Sequence, residues 1–247
     1  IVFPVVSTIA TLLVLASFML PLEMTGTLDN WLASLDSEAS GSGDPAMYIT
    51  AFLFYFCNYF CIVFFNTALI ASVMDIFEGG RGRLGFGLKF ALSRIHAILG
   101  WALVSACVGM ILNALERNEK IGRIVASLLG SAWTALTYFV IPVIVAEGLG
   151  PVAAVKSSMH TLKKEWGTAL MGNFSMGMFG FLLMLPVIGI GIALGIYVSV
   201  PAAIAVAVPL GILAVLVSAT TDAIFKAYLY SFATGKTLPD NVDTYAM

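Results

Sequence analysis

Residues 182–219 read LLMLPVIGIGIALGIYVSVPAAIAVAVPLGILAVLVSA, a run without Asp, Glu, Lys, Arg or His. Gly189, Gly191, Gly195, Pro201 and Pro209 punctuate it. An α-helix needs about 20 apolar residues to cross roughly 30 Å of hydrocarbon, and one tilted helix rarely uses more than about 25. The run is too long for one crossing and fits parts of two. It predicts a fifth span over about 168–193 and a sixth over about 203–230.

Working outward, the same criterion finds spans at about 1–22, 47–74, 96–114 and 124–146, the first closed by Pro21. The expected fold class is all-α: a polytopic membrane protein of about six transmembrane helices, forming one integral membrane domain over 1–247. Residues 1–22 have no basic n-region and no small-residue cleavage site ahead of a soluble domain. They are expected to be a span rather than a signal peptide.

Composition points the same way. Hydrophobic residues make up 60% and charged residues 11%, whereas soluble domains carry about 25% charged residues. A net charge of −2 gives no basic field for nucleic acid. The two His and three Cys (Cys57, Cys61, Cys107) form no CxxC or HxxxH pair, so no zinc site is expected. No P-loop, dinucleotide fingerprint or nucleophile–base set occurs, so neither a cofactor nor an enzymatic activity is expected. Cys57 and Cys61, four apart on one helix, suit neither a disulfide nor a complete metal site.

Lys and Arg in the loops set the expected orientation. With both ends cytoplasmic, the inner segments hold Arg81, Arg83, Lys89, Arg94, Lys156, Lys163, Lys164, Lys226 and Lys236. The outer segments hold only Arg117, Lys120 and Arg123. The first outer loop, 23–46, carries Glu23, Asp29, Asp36, Glu38 and Asp44 with no Lys or Arg.

The two basic segments resemble each other. A shift of 67 places Lys89 on Lys156, Leu92 on Met159, Ile95 on Leu162, Leu99 on Trp166 and Gly100 on Gly167. In the second copy Val155, Met159, Leu162 and Trp166 recur at helical spacing, while Lys156, His160, Lys163 and Lys164 form a polar stripe. Pro151 suits a first helical turn. Both segments, about 84–95 and 151–166, are therefore expected to be amphipathic interfacial helices, with the basic side toward lipid headgroups. Arg81, Arg83, Lys89, Lys156, Lys163 and Lys164 are the candidate contacts to anionic headgroups. The repeating unit would be interfacial helix, span, outer turn, span; chance likeness of two short basic loops is the alternative.

The stretch from Tyr138 to Ser158, YFVIPVIVAEGLGPVAAVKSS, resembles a hallmark of uncharacterised multi-span prokaryotic proteins. In these a span ends in Pro and Glu-Gly, and a Ser-bearing amphipathic helix ending in Trp, here Trp166, follows. Phe3-Pro4 and the tail from Ala227 to Gly235 resemble one six-span family with a domain of unknown function, distantly similar to Yip-like families. The resemblance implies this architecture and a prokaryotic inner membrane, and it transfers no functional residue.

Few polar groups remain to carry a function. Asp222 and Lys226 are four apart on one face of span six. They would serve either as a relay or pathway lining, or as an intrahelical pair with Lys226 snorkelling. Asn58, Asn66, Asn113 and Asn173, with Ser105, Thr134 and Thr137, would line a solute path or bond neighbouring helices. Span two is crowded with aromatics from Phe52 to Phe65, read as lipid contact or a quinone-facing surface. The glycines of span five, including the Gly191/Gly195 GxxxG, would allow either close helix packing or a broken helix. The expected function is a non-catalytic scaffold or accessory subunit organising lipids or partner proteins, itself included. The alternative is a transporter or channel for a small solute or lipid.

Overall fold

The computed structural model describes residues 1–24, 45–116 and 119–236. Among these the chain forms nine helical segments: α1 (Val2–Met24), α2 (Pro45–Phe77), α3 (Leu84–Ser93), α4 (Ile95–Glu116), α5 (Glu119–Leu136), α6 (Val140–Glu147), α7 (Pro151–Lys164), α8 (Trp166–Tyr197) and α9 (Val200–Thr234). Six stretches are long and apolar enough to cross a membrane: Val2–Pro21, Ile49–Phe77, Ile95–Glu116, Gly122–Glu147, Phe174–Tyr197 and Val200–Thr234. The architecture is all-α and polytopic.

Proline decides less than expected in one place and more in another. Helix α1 runs through Pro21 rather than closing there. Span four, expected to be continuous, is split into α5 and α6 around residues 137–139. Pro142 has no N–H to donate to the Tyr138 carbonyl, so one helical hydrogen bond is lost just where the helix breaks. Val140 N–H turns instead to the Thr137 carbonyl, one residue nearer (3.1 Å). The long apolar run divides at Val198 and Ser199, where the Ser199 hydroxyl accepts from Ala202 N–H (3.3 Å) and Pro201 opens α9.

Helix α2 is the central post. It packs against α1, α3, α4, α6 and α9, and its segment 67–74 is buried throughout. Its tightest neighbour is α3. A methyl on Gly87 would strike Ser72 Oγ and the Ala68 carbonyl of α2. The same shift of 67 relates the buried small residues of the two short helices: Gly87 and Ala91 in α3, Ala154 and Ser158 in α7. Lys89 and Lys156 are both exposed. In α7 the buried face runs along Ala154, Ser158, Thr161 and Leu162, and Val155 and Met159 flank it half-buried. Trp166 begins α8, and its side chain is outside the described residues.

Helices α8 and α9 form a hairpin zipped by small residues. A Cβ on Gly180 would meet Ser218, one on Gly191 would meet Ala207, and one on Gly195 would meet Ala203. Each pair of numbers adds to the same total, as an unbroken antiparallel register requires. Gly180, Gly191 and Gly195 therefore serve close packing, nothing lies within 4 Å of a Cβ on Gly177 or Gly189, and α8 continues through Pro186 without a break.

Two glycines of one short helix give a direct test. Gly87→Ala should cost about 1–3 kcal/mol through overpacking against α2. Gly85→Ala, where nothing lies within 4 Å, should be neutral or stabilising by up to about 1 kcal/mol. Thermal unfolding in detergent reads both; equal effects would contradict the seam.

Candidate functional site

The polar side chains that connect helices gather around the break in span four and the end of α6. Ser158, buried on α7, donates to the Leu136 carbonyl (2.8 Å) and accepts from Phe139 N–H (3.1 Å). These are backbone groups that the break strands, and one hydroxyl satisfies both. The next hydroxyl along α7, Ser157, donates to Glu147 (3.0 Å to Oε1, 3.1 Å to Oε2). Glu147 also accepts from the Tyr230 hydroxyl of α9 (2.5 Å). One carboxylate thus ties α6, α7 and α9 together. Gly148 follows it in the left-handed region (φ 68°), which turns the chain into α7 and favours glycine.

Inward along α9 lies the charged pair. Lys226 Nζ is 2.7 Å from Asp222 Oδ2, and the two side chains are 28% and 34% exposed. Lys226 also sits over the Tyr138 ring, 5.0 Å from its centre. Four and eight residues before Tyr230, the backbone positions of Lys226 and Asp222 lie about 6 and 12 Å further along α9. The Tyr138 hydroxyl is buried without a hydrogen-bond partner. A cation held between a carboxylate and a ring face, beside a broken helix, is the most polar arrangement within the spans described.

The other sequence candidates scatter. Asn66 is half-buried on α2. Asn58 donates to the Phe54 carbonyl of its own helix (2.9 Å), and Thr134 and Thr137 bond back to Gly130 and Trp133. The side chain of Asn173 lies outside the described residues. Arg81, Arg83, Lys89, Lys156, Lys163 and Lys164 are exposed at one end of the bundle, the basic end. Cys57, Cys61 and Cys107 are free thiols. Among the described residues no His, Cys, Asp or Glu cluster could hold a metal ion. Sequence reasoning missed Tyr138, Ser158 and Tyr230 as site residues. The available signal was Pro142 inside a span, opposite a serine-bearing helix.

The fold and this polar knot define a six-span helical membrane protein whose polar side-chain ties concentrate toward one end. The chain belongs to DUF6159, a family of unknown function, whose model matches residues 45–238. No curated protein and no solved structure matches it.

If Asp222 and Lys226 act only as a structural pair, Asp222→Asn and Lys226→Met each lower thermal stability in detergent. The double variant then recovers part of the loss, as coupled neighbours require. An Asp222→Asn variant that melts like the parent would move the carboxylate from structure to function.

Proposed function

We propose that this chain is a non-catalytic membrane scaffold or accessory subunit that organises lipids or partner proteins, with both ends and the basic end cytoplasmic. The α8–α9 hairpin carries this reading. Helix α8 packs on α9 and, at its start, on α7. Beyond the basic end its side chains face outward: Phe174 is 70% exposed and Ile196 72%. Exposed apolar surface on this scale needs lipid or a partner helix. The exposed Lys156, Lys163 and Lys164 suit anionic headgroups, at about 1 kcal/mol per basic residue.

The test is crosslinking in native membranes from a background lacking Cys57, Cys61 and Cys107. Photoreactive probes at Phe174, Phe181 and Ile188 on α8 should give discrete protein adducts, of a second copy or another protein. Adducts to lipid alone at all three positions would remove the partner half of the proposal. Lys163→Cys should resist an impermeant thiol reagent in intact cells and react after permeabilisation. Labelling in intact cells would reverse the orientation.

A transporter or channel is the second reading, and the Asp222–Lys226 pair beside the broken fourth span favours it. Discontinuous spans with nearby charge are how transporters build sites within the membrane.

A further inference from the structure

A pocket of about 240 Å³ opens at the basic end, between the ends of α2, α6 and α9 and the stretch joining α3 to α4. Its charged lining is Asp75 from α2, Glu78 just after it, Arg94 from between α3 and α4, and Lys236 from after α9. Two carboxylates and two cations share one pocket without pairing. Among the described residues the only ion pair within 4.0 Å is Asp222–Lys226.

Each side is held in place by something other than the opposite charge. The Arg94 guanidinium lies over the Phe90 ring, 5.6 Å from its centre, and against Gly148, where a Cβ would collide with it. Its Nε is buried with no hydrogen-bond partner. Lys236 Nζ lies over the Tyr230 ring at 5.7 Å and 3.4 Å from the Ala146 carbonyl. Asp75 accepts from Gly82 N–H (2.9 Å), which pins it against the turn after α2. A guanidinium nitrogen buried without a partner costs free energy unless a ligand meets the group.

We propose that this pocket binds an aminophosphate group: a primary ammonium at Asp75 and Glu78, and a phosphate diester at Arg94 and Lys236. Carboxylates prefer a cation that donates hydrogen bonds, which a quaternary ammonium cannot do. A purely anionic ligand would gain the cations but face both carboxylates. The pocket sits where the spans end, at the depth of lipid headgroups, and Phe86 beside it is exposed. An ethanolamine phospholipid and free phosphoethanolamine share the required chemistry. The proposal stands on the pocket alone and holds whether or not the α8–α9 hairpin recruits a partner.

The test is lipid binding to the purified full chain, read by native mass spectrometry and melting temperature. The probes are mixed micelles of phosphatidylethanolamine, phosphatidylcholine or phosphatidylglycerol. The ethanolamine lipid should bind about tenfold tighter than either other, the scale of one charge-assisted contact. Glu78→Gln should erase that preference, and Lys236→Gln should weaken binding of all three lipids, which share the phosphate; both residues are exposed, and the lipid-free melting temperature should stay unchanged. Competition by soluble phosphoethanolamine would identify the headgroup as sufficient, and no competition beside a retained preference would identify the intact lipid. Equal binding of the three lipids, preference for phosphatidylcholine or phosphatidylglycerol, full preference in Glu78→Gln, or undiminished binding in Lys236→Gln would overturn the proposal.

Discussion

The two hydrogen bonds of Ser158 are the constraint on which the rest of the basic end hangs. Pro142 removes one helical hydrogen bond from span four, and the break before it leaves a carbonyl at Leu136 and an N–H at Phe139 inside the protein. Each would cost about 1–3 kcal/mol if left without a partner. A hydroxyl that donates and accepts at once satisfies both, and so locks α7 against the α5–α6 junction. Once α7 is placed, Ser157 reaches Glu147, Glu147 reaches Tyr230, and α9 is anchored. The buried Phe139–Tyr230 contact, ring centres 6.2 Å apart, fills the space between. Order thus passes from a proline to a serine, then to a carboxylate, then to a helix in a different part of the chain.

The same end of the molecule solves the same problem twice. Span α2 ends in Glu78 and Gly79, and α6 in Glu147 and Gly148, with both glycines at positive φ (86° and 68°). Each span is followed by a short helix that buries small residues at matching positions, Gly87 and Ala91, then Ala154 and Ser158. The copies differ where the span differs. Span α2 is unbroken, its own Ser72 bonds back to Ala68 (3.0 Å), and α3 offers a glycine to make room. Span four is broken, and the serine sits on the short helix instead. A sequence comparison by identity sees only scattered matches, because what is repeated is a close approach of backbone and not a particular side chain.

This explains what could be read from the chain in advance. Span number, the two short helices and the division of the 182–219 run follow from length, apolarity and Pro/Gly placement, which are local properties. The Asp222–Lys226 contact was legible too, since four residues apart on a helix is contact distance. The break at 137–139 was not: prolines are tolerated in spans, as Pro21, Pro186 and Pro209 show. Whether Pro142 breaks its helix depends on a serine sixteen residues later arriving to satisfy the loose ends. Glu147 and Tyr230, 83 residues apart, are joined only by the fold. The seam of α8 was half legible: glycines announced either packing or breakage, and the facing small residues of α9 decide for packing.

The distribution of polar ties has a mechanical consequence. Glu147, Ser157, Ser158 and Tyr230 tie α5, α6, α7 and α9 together at the basic end, and Lys226 adds the Tyr138 ring one turn further in. Beyond Asp222, α9 holds α8 by small-residue contact, with Ala207 and Ala203 against Gly191 and Gly195. Dispersion between small residues is strong only at close approach and carries no charge to misplace. Helix α9 is therefore clamped at its base by hydrogen bonds and charge, and further along it is zipped to α8 by small residues. The pair at Asp222 and Lys226 marks the boundary between the two regimes. There a charge within a span is tolerable because its partner is one helical turn away and a ring face covers the cation.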